Sequence, residues 1–176
     1  IYFTSAYNVP VITNNTVTGN GWPVVLPATA MPADTDNNVL LPNDNNRISI
    51  RANQRTTTLG GDLHLKVLRS GDAEINTYWI GSGDLNMDAG TTLTLDAGVN
   101  LKFENNRRLL VYGALDVLGT AEQRVVLTST YDASTGSRVS TGDLRNGLWH
   151  GVYLGADAVA NVAYMDLRYA GASYSA

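Results

Sequence analysis

Lys102 and Glu104, and again Asp166 and Arg168, are separated by one residue, so each pair projects from the same side of an extended strand. Two carboxylates beside two cations can do acid–base work on a sugar: one carboxyl protonates the leaving oxygen while the other activates water or attacks. The same charges on stacked outward strands also describe an ordinary solvated surface, and that is the preferred reading. His64 and His150 are the only histidines. His64 alternates outward from Leu63 and Leu65, and His150 sits inside Trp149-His150-Gly151, so neither is assigned as a general base or metal ligand. Asp34-Thr35-Asp36-Asn37-Asn38, with Asn43, Asp44 and Asn45 nearby, has the oxygen spacing of a calcium loop, which makes Asp34, Asp36 and Asn38 the candidate ligands. An EF-hand-like loop would need Gly at Val39 and Glu at Asn45, so a polar loop without metal is favoured and no cofactor is assigned, calcium being the alternative.

These residues need a frame, and composition limits what it can be. The 176 residues are 44% hydrophobic and only 16% charged, with 17 Gly between short apolar runs, as expected of many short strands joined by tight turns. A net charge of -4 without a basic block argues against nucleic acid or an anionic membrane as partner. With no Cys, a disulfide framework, a thiolate metal site and a cysteine nucleophile are all excluded. No apolar run approaches the roughly 20 residues of a spanning helix, so no membrane insertion is expected. The opening Ile1-Tyr2-Phe3-Thr4 lacks a charged signal head, and the expectation is that an export signal has been removed or that this is a piece of a longer chain.

The repeat is most regular from Gly83, where Gly83-Asp84-Leu85-Asn86-Met87-Asp88-Ala89-Gly90 is followed by Thr91-Thr92-Leu93-Thr94-Leu95-Asp96-Ala97-Gly98, two copies of an eight-residue unit. The phase continues through Leu101/Phe103 and Leu109/Val111. One circuit later, Leu85/Met87 meets Leu109/Val111 at 24 residues, Leu93/Leu95 meets Leu115/Val117 at 22, and Leu101/Phe103 meets Val125/Leu127 at 24. Backwards, Gly61-Asp62-Leu63 precedes Gly83-Asp84-Leu85 by 22. Between them Ile75, Thr77 and Trp79 share one phase and Tyr78 and Ile80 the other, which leaves the facing of that run open. Like residues recurring at this interval favour a three-sided solenoid over an antiparallel barrel, which would not need them. The Asp-Ala-Gly corners at 88–90 and 96–98 supply Gly where a tight bend takes positive φ.

From about Gly83 to Gly171 the chain resembles bacterial surface proteins of the right-handed parallel β-helix, pectate-lyase-like superfamily. The residues that carry the resemblance are Thr92 to Phe103, Leu110-Val111-Tyr112-Gly113-Ala114-Leu115, Gly119-Thr120-Ala121, Arg124 to Ser129, the Trp149-His150-Gly151-Val152-Tyr153-Leu154 strand and Val162 to Gly171. The resemblance implies an all-β, right-handed parallel β-helix of about 22 to 24 residues per coil over residues 61–176, with a loop insertion at 129–147. Residues 1–60, where Pro23, Pro27, Pro32 and Pro42 oppose a long helix, are expected to form an N-terminal cap or irregular early coils.

In that register Lys102, Val126 and Asp166 should form one outward column, with Glu104, Thr128 and Arg168 beside it. A polysaccharide lyase or glycoside hydrolase would use Lys102, Glu104, Asp166 and Arg168; a calcium-dependent adhesion module is the other alternative. Tyr112, Tyr153 and Tyr164 should face outward, where rings can stack on carbohydrate. An ice-binding threonine face is disfavoured because Lys102 and Glu104 interrupt any such array. The last strand-like run, Met165 to Tyr169, is followed by only Ala170 to Ala176, without a polar cap. The expectation is therefore a noncatalytic, secreted or cell-surface structural or adhesive module that associates with itself through open β-helix ends, in a larger surface protein or a head-to-tail filament.

Overall fold

The computed structural model describes residues 1–2, 12–27, 38–51, 56–59, 61–70 and 73–173. The strands are β1 (Val24–Pro27), β2 (Ile48–Arg51), β3 (Thr56–Leu59), β4 (Leu63–Leu65), β5 (Leu68–Ser70), β6 (Ala73–Ile75), β7 (Thr77–Ile80) and β8 (Asp84–Met87). They continue as β9 (Thr92–Asp96), β10 (Asn100–Phe103), β11 (Arg108–Val111), β12 (Ala114–Leu118), β13 (Val125–Ser129), β14 (Gly151–Leu154), β15 (Val159–Ala163) and β16 (Met165–Leu167). The chain is all-β, and among the described residues no helix is long and apolar enough to cross a membrane.

Three sheets account for all but two strands. The first runs β1-β2-β7-β10-β13-β16, the second β14-β11-β8-β3 and the third β15-β12-β9-β4. Every pairing within them is parallel. From β2 onward the chain visits first, second and third sheet in turn and then returns to the first, laying each strand beside the one from its previous visit. Strands β5 and β6 form an antiparallel hairpin outside this cycle.

Alternation drives the burial, because side chains at i and i+2 share a face. Leu85 and Met87 lie beside Leu109 and Val111, and Leu93 and Leu95 lie beside Leu115 and Val117, as the sequence spacing predicts. All eight are buried in one continuous apolar cluster. Tyr78 and Ile80 are the inward pair of β7, which settles the phase left open in the sequence. Phe103 and Trp149 stack with ring centroids 4.5 Å apart and planes 1° from parallel, and the Trp149 indole N–H donates to the Arg168 carbonyl at 2.8 Å.

Two registers differ from expectation. Leu101 stands beside Leu127 and Phe103 beside Ser129, two residues away from the predicted pairing with Val125 and Leu127. The extra length falls between β12 and β13, and because facing repeats every two residues, a two-residue shift leaves the apolar pattern unchanged. Leu63 stands beside Leu93 and not Leu85, since the β5–β6 hairpin lengthens that circuit and β8 pairs instead with β3.

Earlier in the chain the stacking uses amides. Asn38 is buried; its Nδ2 donates to the Ile12 carbonyl at 2.6 Å, and its Oδ1 accepts from the Asn15 backbone N–H at 3.0 Å. Asn43 does the same work for Val17 and Asn20, at 2.8 and 2.9 Å.

Candidate functional site

Two places depart from a closed, apolar-cored stack: the outer face of the first sheet and the final circuit. On the first, the segment between β13 and β14, expected as a loop insertion, lies against the sheet. Thr130 to Leu148 folds back as a strap over the outer face of β13, β10 and β7 and reaches the residues leading into β2. Thr128 Oγ1 donates to Asp132 Oδ2 at 2.9 Å, and the Ser137 N–H donates to Thr77 Oγ1 at 2.8 Å. Ser137 Oγ donates to the Asn46 carbonyl at 2.7 Å, Thr135 Oγ1 donates to Asn100 Oδ1, and the Arg47 guanidinium donates to the Arg138 and Val139 carbonyls.

The strap divides the four charged residues singled out above. Lys102 is 0% exposed, and its Nζ donates to the Asp132 and Thr135 carbonyls, both at 2.6 Å. Burial, partly opposed by Asp132 and helped by Arg47, pushes its ammonium down to about 8. Glu104 lies in a pocket of about 590 Å³ with Arg47, Tyr131 and Arg138, where its Oε1 accepts from the Trp79 indole N–H at 3.2 Å. Asp166 is clasped by Arg168 at 2.6 Å and Arg124 at 2.7 Å, and these bonds hold its carboxyl below the ordinary range. Lys102 pairs in register with Trp79 and Thr128, whereas Asp166 pairs with Val126, which stands beside Asn100. Lys102 and Asp166 therefore do not share a column, a consequence of the two-residue shift.

Sequence reasoning missed Asp132, which joins the groups. Burial by itself would raise its carboxyl, but hydrogen bonds from Ser134 and Thr128 and the charge of Lys102 outweigh it and hold the group low. Arg168 approaches the same carboxylate at 3.8 Å. A signal was present: an outer strand face carrying Trp79 and Val126 is a face that something covers.

Of the calcium candidates, Asp34 and Asp36 lie outside the described residues, and the buried Asn38 amide is bonded to Ile12 and Asn15. Among the described residues no group of three or more His, Asp or Glu is placed to hold a metal ion. His64 Nε2 lies 2.7 Å from Asp96 Oδ1 on the outer face, and His150 Nδ1 lies 2.8 Å from the Ala172 carbonyl. Tyr112, Tyr153 and Tyr164 are all exposed, with the first two rings 6.3 Å apart.

The final circuit differs in kind. Strands β14, β15 and β16 each end a sheet, with a partner on one side only. Their inward positions carry Leu154, Val162 and Leu167, which are 46%, 49% and 48% exposed, whereas their partners Val111, Val117 and Leu127 are at most 1% exposed. Beyond β16, Ala170 bridges to Trp149 in parallel, which starts a further pass over residues 147–150. Among the described residues no strand lies beyond these three edges. No protein-family model, curated protein or solved structure matches this chain.

Proposed function

We propose that the chain is a length of right-handed parallel β-helix of the pectate-lyase-like kind, serving as a noncatalytic structural or adhesive module of a secreted or cell-surface protein. The cyclic visiting order supports a solenoid, and parallel strand–crossover–strand connections are right-handed in about 98% of cases. The reading is mechanical because the charged residues that would serve a sugar-cleaving site are engaged in holding structure: Lys102 carries two carbonyls and Asp166 two guanidinium groups.

The observation that carries the proposal is the exposed inward row Leu154, Val162 and Leu167. A further parallel rung would pair all three edges and bury this row at about 25 cal/mol per Å² of apolar surface. That rung belongs to a second copy in a head-to-tail filament or to a neighbouring coil of a larger protein. Sedimentation velocity over a concentration series of the chain tests it. The expectation is reversible association that is lost in Val162→Glu/Leu167→Glu; a chain that stays monomeric at high concentration, or a double variant that associates equally, overturns it.

A further inference from the structure

The strap over the first sheet is attached by an unusual set of contacts for so well covered a face. Thr77, Asn100, Lys102, Thr128 and Asp132 are all at least 97% buried, and beyond the backbone bonds of Thr130 to Phe103 and of Asp132 to Ser129 at its start, the strap is tied to the sheet through polar side chains. Thr130 Oγ1 and Arg47 Nε are buried at this seam without a hydrogen-bond partner. A permanent cover is normally apolar, because burying polar groups opposes closure unless every one is satisfied, and burying a charge opposes it more. Here one of the fully buried groups is a cation, Lys102, on a strand whose other face is apolar core.

We propose that the Thr130–Leu148 strap is a latch on the outer face of the first sheet, seated on Lys102 and weakened by that residue's positive charge, so that it loosens as the medium becomes less alkaline. With the strap lifted, Lys102 stands in water with the ordinary ammonium value near 10.4; closed, it sits at about 8. Closure therefore releases a proton. The closed form is favoured most above the open-state value, loses ground as pH falls between the two values, and changes no further below the lower one. The ratio of open to closed forms rises on the order of a hundredfold across that window.

The neighbours of Lys102 leave it as the titrating partner. Trp79 from β7 and Thr128 from β13 carry no charge, and Asp132 from the strap is held in its anionic form. Arg47 stays a cation throughout. Glu104, next after β10, and Arg168, which lies beyond Asp132 and is bound to Asp166 with Arg124, are also charged, and Arg138, Asp143 and Arg145 of the strap are exposed. Tyr131 is the strap's other titratable side chain, its hydroxyl accepting from Asn105 Nδ2 at 3.1 Å.

The Arg138 carbonyl that accepts from Arg47 is the one trypsin must engage to cut after Arg138, so cleavage there reads strap opening. Nicking of the chain after Arg138 is compared at pH 7.5 and 9.5, each rate divided by that for an unstructured peptide carrying the same site. The expected result is at least tenfold faster relative nicking at pH 7.5 in the parent and in Tyr131→Phe, with slow nicking and no pH step in Lys102→Met. Lys102→Gln provides the same readout should the methionine variant fail to fold. A parent rate that does not change with pH, a step that disappears in Tyr131→Phe, or a neutral Lys102 variant nicked with the parent's step overturns the proposal.

Discussion

Strand β10 is buried on both sides, and the two sides are buried differently. Inward, Leu101 and Phe103 join aliphatic and aromatic neighbours that need no hydrogen bonds; outward, Asn100 and Lys102 reach the same degree of burial beneath a strap that must satisfy each polar atom in turn. Equal burial is not equal stabilisation. The inner face gains from every carbon removed from water, whereas the outer face exchanges hydration for hydrogen bonds of nearly the same strength and retains a desolvated charge. The inner face holds the stack together, and the outer one is free to be conditional.

Substitutions separate the two sides. The largest effect belongs to the inner one: Phe103→Ala removes a ring stacked on Trp149 and should cost about 3 to 5 kcal/mol in chemical denaturation. The outer face should show a pH effect. Because the folded-state value of Lys102 is lowered, its contribution is fully present above about pH 10.5 and is lost as pH falls toward 8, on the order of 3 kcal/mol in all. Lys102→Met should flatten that limb of the stability curve. Asp132→Asn, which gives up hydrogen bonds to an anion, should cost about 1 to 3 kcal/mol at neutral pH. Since the Asp132 carboxyl is lowered, its contribution holds above the ordinary carboxylate value and is lost as pH falls through the folded one, so the variant should show a shallower acid limb. Gly98→Val tests a corner and not a face. Gly98 has φ +82°, and an added Cβ meets Val67 at 3.4 Å, an ordinary contact, so backbone strain alone should cost at least about 1 to 2 kcal/mol by thermal melting.

How much of this was readable in advance follows the same division. The pairing of Leu93 with Leu115 and of Leu85 with Leu109 was legible because apolar residues recur in phase, and the all-β class followed from short runs between turn residues. What escaped was anything that leaves that phase intact or replaces it. The two-residue shift at Leu101 is silent in a period-two pattern. The Asn15–Asn38 and Asn20–Asn43 pairs, each 23 residues apart, stack through amides, so a search for aliphatic pairs passes over them. Lys102 was read as solvated because alternation says only that it points away from the core, and a strap arriving from residues 130–148 buries it all the same. Asp132 carried no local motif; its role is set by where the strap crosses the sheet.

Strand direction in neighbouring circuits is the claim on which everything above rests, and the chain's lack of cysteine makes it directly measurable. In the third sheet Thr94 lies beside Asp116 and Thr92 beside Ala114. Adjacent strands are about 4.8 Å apart, within reach of a disulfide. In two separate double variants, Thr94→Cys/Asp116→Cys and Thr92→Cys/Ala114→Cys, oxidation should close an intramolecular bond in both. An antiparallel pairing brings at most one of these pairs into register, so a bond that forms in one variant and fails in the other, or in neither, contradicts the stacked parallel circuits.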